Sequence, residues 1–357
     1  EMYPYTFQPD DRKGRKEIAC KYIVSGNNTV RFEVGEYAKN TPLIIDPTLI
    51  FSSFTGSTAN QYGFTATPGP DGSLYSGGIV FGSGFPTTPG AFQSSFQGGS
   101  GEGAVDIGIM KFSANGSQRL YATYLGGNGN DYPHSLFCDP QGNLVVMGRS
   151  YSTNYPGTKV PTATNRTPAG ANIVVTKLNN NGSAYIGSLV IGGSGADGVN
   201  IKDLQSGASH GAESLVRNYG DDSRSEVILD GSNNIYVAAQ TQSTDFPIYG
   251  SVSQTSLGGM QDGVVMKINP NCTSIIWSTY LGGSLDDGAF VLELDPMTSN
   301  IYVGGGTNSA DLPGDKSGTI KSAYTPGSDP DNPLPDGFVA ILNNNGQLLK
   351  STYIGTS

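Results

Sequence analysis

Short runs of Val, Ile and Tyr alternate with polar turns along this chain, and the segment from Tyr121 to Ser150 shows the pattern most fully. It reads YATYLGGNGNDYPHSLFCDPQGNLVVMGRS, which is a strand, a Gly-Gly corner, a second strand, a tight turn and a third strand. β-Branched and aromatic runs bounded by Gly, Asn, Asp and Pro are typical of β-strands, and no helical period is present. The pattern therefore predicts an all-β protein.

The corner recurs along the chain. ATYLGG and STYLGG are its clearest copies, and SLVIGG, SSFTGS and STYIGT are weaker ones; the first corner glycines are Gly56, Gly126, Gly192, Gly282 and Gly355. Three further elements recur at similar distances from the corner: an Asp-containing turn, a strand after that turn, and a fourth strand that ends in Asn-Gly or a similar turn. Asn-Gly supplies the positive φ angles of a two-residue hairpin, so this strand is expected to fold back onto the next corner strand. Self-similarity of this kind indicates a repeat, and four short strands per unit predict a β-propeller built of four-stranded antiparallel blades. A β-sandwich is the weaker alternative.

The combination of motifs resembles the SBBP repeat, a β-propeller repeat of bacterial secreted proteins. It consists of the TYLGG corner, Asn130-Asp131, the DPQGN turn and the segment FPTTPGAFQ at Phe85–Gln93. The resemblance covers residue 42 to the end of the chain. It implies a propeller on a secreted or cell-surface protein, exported from a Gram-negative bacterium of the Bacteroidetes type. It implies no particular activity.

The chain divides in two at the sequence level. Residues 1–41 lie outside the repeat and read as the C-terminal part of an all-β N-terminal domain, a small remnant that precedes the propeller. Residues 42–357 read as a propeller segment of four blades plus the start of a fifth, which is an incomplete ring. In this interpretation tight turns join strands within a blade, and the long Pro-rich loops cross between blades.

Composition limits the classes of partner. The net charge of −10 argues against nucleic acid, because phosphate binding needs a basic surface. The chain has no apolar run long enough for a transmembrane helix, so no membrane span is expected. Three cysteines at no metal-binding spacing and two histidines suggest no resident cofactor.

Aspartates recur at the entrance to the second strand in the later units, whereas the first unit has Asn60-Gln61 there; they are Asp131, Asp222, Asp286 and Asp287. Such residues most often cap backbone N–H groups in a turn. The alternative is a set of oxygen ligands for Ca²⁺, a hard cation that prefers carboxylates. Capping is the favoured interpretation, because none of these segments contains a complete Ca²⁺ loop.

The third unit contains an insertion, expected at residues 194–222 after its corner. Its polar groups make it the favoured site of partner contact, with candidate residues Lys202, Asp203, His210, Glu213 and Arg217. Long loops on a rigid scaffold commonly bind partners. The alternative is a structural cap over a blade edge.

Two classes of function follow from these patterns. The favoured one is a non-enzymatic, extracellular binding, adhesion or scaffold module whose partner is a protein or polysaccharide at the cell surface. The alternative is a secreted carbohydrate-active enzyme, a hydrolase or lyase, that uses carboxylates at the propeller rim. The sequence contains no convincing nucleophile and base pair, so no catalytic residue is predicted.

Overall fold

The computed structural model describes residues 4–10, 14–25, 29–46, 51–99, 103–160, 170–200, 224–325 and 335–355. In these residues the regular secondary structure consists of β-strands, as the sequence pattern predicts. The chain forms two compact units, Glu1–Phe54 and Thr55–Ser357.

The N-terminal unit contains five strands. β1 (Tyr5–Asp10), β2 (Gly14–Glu17) and β5 (Ile44–Asp46) form a sheet in the order β2-β1-β5, and β3 (Cys20–Ser25) and β4 (Thr29–Val34) form an antiparallel hairpin. Among its described residues, the apolar side chains of Phe7, Ile18 and Cys20 are buried.

In its described residues the second unit contains four sheets that follow one another along the chain. In each, four antiparallel strands are paired in chain order, and the second sheet has a further short strand at its edge. The first sheet is β6 (Gln61–Pro68), β7 (Leu74–Val80), β8 (Asp106–Phe112) and β9 (Arg119–Leu125). The second is β10 (Asp131–Cys138), β11 (Leu144–Ser150), β13 (Asn172–Leu178) and β14 (Tyr185–Ile191), with β12 (Thr158–Val160) parallel to β14. The third is β15 (Glu226–Leu229), β16 (Ile235–Thr241), β17 (Asp262–Ile268) and β18 (Ile275–Leu281). The fourth is β19 (Asp287–Leu294), β20 (Ile301–Thr307), β21 (Asp336–Leu342) and β22 (Leu348–Ile354).

The grouping of strands into sheets differs from the expected one. Val80 pairs with Asp106, so the long loop between β7 and β8 returns to the same sheet. The Gly-Gly corner instead carries the chain from the fourth strand of one sheet to the first strand of the next. Strands β21 and β22, expected to begin a fifth blade, therefore complete the fourth sheet. The reason is that strand pairing over long sequence distances, rather than turn length, decides which strands share a sheet.

The tight turns form where the sequence predicts them. Gly116, Gly182 and Gly346 adopt φ angles of 68°, 67° and 79° between the third and fourth strands, and the strands on either side pair antiparallel. These positive values are accessible to glycine at little cost. The predicted return of the fourth strand onto the third is thus confirmed. The loops are longer than two residues, because the Ser113 N–H bonds to the Gln118 carbonyl, and only the glycine of each Asn-Gly pair has a positive φ.

The apolar core lies between successive sheets. β11, β13, β16 and β17 are buried along their whole lengths, so the second and third sheets are covered on both faces. The first strands of neighbouring sheets also contact one another, β6 with β10, β10 with β15, and β15 with β19. The sheets therefore pack face to face, with their first strands adjoining.

Candidate functional site

Three of the corners are closed by an aspartate at the start of the following sheet. One carboxylate oxygen, Oδ2, accepts the N–H of the second corner glycine, and this bond occurs in three corners: Gly127 to Asp131 at 2.8 Å, Gly193 to Asp197 at 2.9 Å and Gly283 to Asp287 at 2.6 Å. All three aspartate side chains are fully buried. Capping, the interpretation favoured from the sequence, is confirmed for Asp131 and Asp287.

A serine after the second strand of each sheet completes this arrangement. The serine Oγ–H donates to the same Oδ2 atom, from Ser152 to Asp131 at 2.8 Å, from Ser243 to Asp197 at 3.1 Å and from Ser309 to Asp287 at 2.8 Å. Each Oγ in turn accepts a backbone N–H from the corner, that of Gly129, Gly195 or Leu285. The corner backbone is thereby fixed by two side chains from the following sheet.

A second aspartate faces the corner from the start of the third strand. Asp106 Oδ2 accepts the N–H of Gln97 at 2.7 Å and the Gln93 Nε2–H at 3.3 Å. Gln93 Oε1 accepts the N–H of Gly126 at 3.0 Å, so this amide bridges the carboxylate and the first corner glycine. Gln254 makes the equivalent pair of bonds to Asp262 and Gly282, at 2.9 and 3.1 Å.

The two bridging glutamines are structural residues that the sequence interpretation missed. Gln93 ends the FPTTPGAFQ segment, and Gln254 occupies the matching place before the third strand of its own sheet. A glutamine recurs at this place in two sheets, and this recurrence is the sequence signal that could have identified both residues. In the fourth sheet Lys321 takes this place, and its Nζ donates to Asp336 Oδ2 at 2.8 Å.

The first corner glycine is required because it lies between the two carboxylates. A Cβ at Gly126 would be 2.4 Å from Asp106 Oδ1 and 2.8 Å from Asp131 Oδ2. At Gly282 the corresponding distances to Asp262 Oδ1 and Asp287 Oδ2 are 2.4 and 2.9 Å. Any side chain here would displace an acid, which explains the glycine.

Burial changes the protonation of these acids. Desolvation raises the pKa of Asp106 to about 7 and that of Asp131 to about 6, and the charge of Asp131 contributes further to the rise at Asp106. The same cause raises the pKa of Asp262 to about 6 and of Asp197 and Asp287 to about 7. The corners therefore hold protons near neutral pH.

The calcium candidates do not form one cluster in the described part of the chain. Asp131 lies in the corner between the first and second sheets, whereas Asp286 and Asp287 lie in the corner between the third and fourth; Asp222 is outside the described residues. Within those residues no three His, Cys, Asp or Glu side chains come close enough to hold a metal ion. Calcium binding stays a prediction.

The insertion lies further along the chain than expected. Residues up to Asn200 form the corner and the start of the third sheet's first strand, where Asp197 forms a β-bridge with Thr241. Asp197 therefore takes the capping place that the sequence interpretation gave to Asp222. The chain between Asn200 and Arg224 lies outside the described residues, and so do Lys202, Asp203, His210, Glu213 and Arg217.

The insertion occupies a bulge position. In the other three sheets the register of the first strand shifts at this point, between Gly63 and Thr65, between Pro133 and Ser135, and between Ala289 and Val291. A β-bulge already holds an extra, unpaired residue, so a longer segment can leave the strand there without breaking its pairing. The bulge in the first strand is the physical reason why the insertion follows Asn200 rather than the corner glycines.

Both ends of the insertion are anchored to buried groups. Asn200 Oδ1 accepts the Gln261 Nε2–H at 3.0 Å, and the Asn200 side chain is buried. On the other side, the Ser225 hydroxyl contacts His134 Nδ1 in the bulge of the second sheet. Nε2 of that histidine is 3.3 Å from Arg149 Nη1. One end is thus held within the third sheet and the other by the second sheet.

Phe85 and Phe246, two aromatic residues of the long loops, pack inward. The Phe85 ring lies 5.2 Å from that of Tyr124, and the Phe246 ring lies 6.2 Å from that of Tyr280. Each tyrosine hydroxyl also accepts the N–H of its phenylalanine. These contacts hold the two loops against their sheets and leave the Phe85 and Phe246 rings unavailable for stacking on a sugar.

Two family models match parts of the chain. Residues 1–48 match a domain of unknown function, DUF7948, and residues 120–156 match SBBP, a beta-propeller repeat. No curated protein sequence matches. In the described residues there is no helix long and apolar enough to span a membrane.

Several solved structures are similar at low identity. A protein of unknown function from Dyadobacter fermentans is 9% identical with a TM-score of 0.44, over 93% of this chain and 74% of its own. A PL25 ulvan lyase is 11% identical with a TM-score of 0.37, over 84% of this chain and 57% of its own. A sialidase, Hadza microbial sialidase Hz136, is 10% identical with a TM-score of 0.37, over 92% and 66%. At these TM-scores the similarities carry no argument about function.

The SBBP match begins in the fourth strand of the first sheet, crosses the corner at Gly126 and Gly127, and continues past the second strand of the second sheet. It coincides with the segment on which the sequence resemblance rests. The chain thus carries the SBBP beta-propeller repeat at residues 120–156.

Proposed function

We propose that this chain is a non-enzymatic binding or scaffold module of a secreted or cell-surface protein, and that its four sheets are blades of a β-propeller. The observation that carries the proposal is the anchoring of the insertion. Asn200 and Ser225, on either side of it, are both buried; Asn200 is hydrogen-bonded to Gln261 beside the third strand of its own sheet, and Ser225 to His134 of the second sheet. A long segment held at rigid ends is a common arrangement for a binding loop.

The environment of the carboxylates favours binding over catalysis. A rim-based hydrolase or lyase would need an acid and a base that reach the substrate. Asp131, Asp197 and Asp287 are instead fully buried and accept hydrogen bonds from the corner backbone. Their arrangement serves the junctions between sheets.

The partner we propose is a protein or a polysaccharide at the cell surface. The insertion offers Lys202, Asp203, His210, Glu213 and Arg217, which suit polar and hydrogen-bonding surfaces. The chain's net charge of −10 disfavours a polyanion such as nucleic acid. The SBBP repeat supports an extracellular location by resemblance.

The test is removal of the insertion. Deleting residues 201–224 joins Asn200 directly to Ser225 and restores a short bulge, so the sheets should stay folded. Binding to an array of immobilised bacterial surface polysaccharides, and to outer-membrane protein extracts, should be lost. A matched control deletes residues 326–334 from the long loop of the fourth sheet and should retain binding.

The same polysaccharides should be screened for cleavage. Turnover that a single Asp→Asn substitution abolishes would overturn the non-enzymatic proposal. A deletion variant that binds as well as the intact chain would show that the insertion is not the contact site.

A further inference from the structure

A groove opens between the third and fourth sheets, beside the corner that joins them. Its volume is about 320 Å³, and its walls come from β18 and β22 and from the loops before β17 and β21. Among its lining residues are Ser253, Leu281, Ser284, Asp311, Pro313 and Leu348. We call it the junction groove. A cavity of about 150 Å³ is enough to hold a benzene ring, so the junction groove has room for a large side chain of another molecule.

The matching place between the first and second sheets is filled by two aromatic rings. Phe92 and Tyr185 stand there at the positions that Ser253 and Leu348 hold in the junction groove. The two rings meet edge to face, with 5.4 Å between their centroids, and Phe92 packs against the apolar core beneath it. In the junction groove the Ser253 hydroxyl instead accepts the Leu348 N–H at 2.8 Å. The groove is open because serine and leucine do not fill the space that the two rings take.

The backbone shows that these positions correspond. Gln93 and Gln254 follow directly after the two loop residues, and each donates its N–H to a threonine hydroxyl of the fourth strand, at 2.9 and 3.3 Å. Tyr185 and Leu348 each pair with the leucine that ends the third strand of their sheet. The two places therefore share one backbone arrangement and differ in the two side chains.

An exposed carboxylate, that of Asp311, also lines the junction groove. Its Oδ1 atom accepts the N–H and the hydroxyl of Ser284 at 2.9 and 3.0 Å, and these bonds, with a smaller effect of the Lys316 ammonium, hold the pKa of Asp311 below its ordinary value. Among the described residues Asp311 forms no ion pair. In the corner between the first and second sheets the neutral Asn154 takes this place, and its Oδ1 accepts the Asn128 N–H at 2.6 Å. The junction groove thus combines apolar walls with a negative charge.

We propose that the junction groove binds an aromatic side chain of a protein partner, with a lysine or arginine of the same partner beside Asp311. The ring takes the space that Phe92 fills between the first and second sheets, and contact with Leu281, Pro313 and Leu348 removes it from water. The cation complements the carboxylate, which has no ion-pair partner among the described residues. This inference does not depend on the role proposed for the insertion.

The first test is binding of a small probe, acetyl-Phe-Lys-amide, measured by saturation-transfer NMR and by titration. Saturation should reach the phenyl protons. Acetyl-Ala-Lys-amide lacks the ring and should bind about tenfold or more weakly. Acetyl-Phe-Ala-amide lacks the cation and should bind about two- to fivefold more weakly, as expected for an exposed ion pair. Asp311→Asn keeps an acceptor for the Ser284 N–H, as Asn154 does in its own corner, and should remove the preference for lysine.

The second test exchanges the side chains of the two places. Ser253→Phe combined with Leu348→Tyr fills the junction groove and should abolish binding of the probe, with a melting temperature close to that of the unmodified chain. Leu348→Tyr alone keeps the Ser253 hydroxyl, narrows the groove and should weaken binding. The reciprocal pair, Phe92→Ser with Tyr185→Leu, should open a second site, which shows no preference for lysine because Asn154 is neutral.

Three results would overturn the proposal. One is an unmodified chain that does not bind acetyl-Phe-Lys-amide, or that binds acetyl-Ala-Lys-amide equally well. Another is a folded variant with Phe at position 253 and Tyr at position 348 that binds the probe as tightly as the unmodified chain. The third is displacement of the probe by a neutral disaccharide, which would assign the groove to a polysaccharide.

Discussion

The Lys177 ammonium donates to Asp139 Oδ2 across 2.8 Å inside the second sheet, and the two side chains are only 5% and 1% exposed. The lysine comes from the third strand and the aspartate from the tight turn between the first two. The ammonium and the Asn143 N–H groups hold the pKa of Asp139 below its ordinary value despite burial. This ion pair fixes the turn to the sheet.

Removing one partner of this pair should be costly. Lys177→Met leaves a buried carboxylate without its cation and should lower the free energy of unfolding by about 3 to 5 kcal/mol. Urea unfolding measures the change. The matched control is Lys111→Met in the first sheet, whose partner Asp71 is 56% exposed and can be solvated. Equal losses of unfolding free energy in the two variants would contradict the claim that burial makes the Lys177–Asp139 pair costly to break.

The first corner glycine should not tolerate a side chain. Gly126→Ala forces a methyl group against Asp106 and Asp131 and should cost about 1 to 3 kcal/mol of unfolding free energy. Gly231→Ala is the control, because a Cβ there meets nothing within 4 Å. Chemical denaturation of both variants checks the difference, and a Gly126→Ala variant as stable as the control would count against the corner geometry.

Stability should rise as the solution is acidified from mildly alkaline pH. Asp106, Asp197 and Asp287 have a pKa of about 7 in the folded protein against an ordinary value of 3.8, so the folded state binds protons in this window and the unfolded state does not. The free energy of unfolding therefore increases as the pH falls from about 7 toward 3.8. Nearer to pH 2, protonation of groups such as Asp71, whose pKa is lowered to about 2, acts in the opposite direction.

Calorimetry across this range checks the prediction. The melting temperature should be several degrees higher near pH 5 than near pH 8, about what a few kcal/mol produces. A melting temperature that falls steadily over the same interval would show that the buried carboxylates are ionised throughout.

The corner glutamine should be replaceable by lysine. Gln254→Lys places an ammonium where the fourth sheet has Lys321, next to Asp262 and Asp287, and should lower the pKa of Asp262. The variant should fold, and its stability should depend less on pH than that of the unmodified chain. Gln254→Leu, which leaves the carboxylate and the Gly282 N–H without their partner, should cost about 1 to 3 kcal/mol. Parallel pH titrations of melting temperature compare the two.

The strands were predictable from the sequence, but their grouping was not. Runs such as NLVVMGRS and NIVVTKL are long enough and β-branched enough to specify strands by themselves, and Asn-Gly fixes the hairpins between them. Whether a connection stays in one sheet depends on pairings such as Val80 with Asp106, which join residues far apart in the chain. Local patterns carry no information about such pairings.

The corner site was predictable in part. The recurrence of Asp131 and Asp287 indicates capping, because few other roles repeat in register with a glycine turn. The sequence does not distinguish Asp197 from Asp222, since Asp221-Asp222 repeats the Asn130-Asp131 pair more closely than Ala196-Asp197 does. Only the bridge between Asp197 and Thr241 decides which of them enters the third sheet.

The position of the corner between sheets has a consequence for how such chains can be lengthened or recombined. A gene duplication with both ends at a corner glycine, for example between Gly126 and Gly192, would add one entire sheet with its own capping aspartate and serine. A duplication with its ends in the long loops would add the last two strands of one sheet and the first two strands of the next. These added strands would have to pair in register with strands of the sheets already present. We expect chimaeras joined at the corners to fold more often than those joined at the loops.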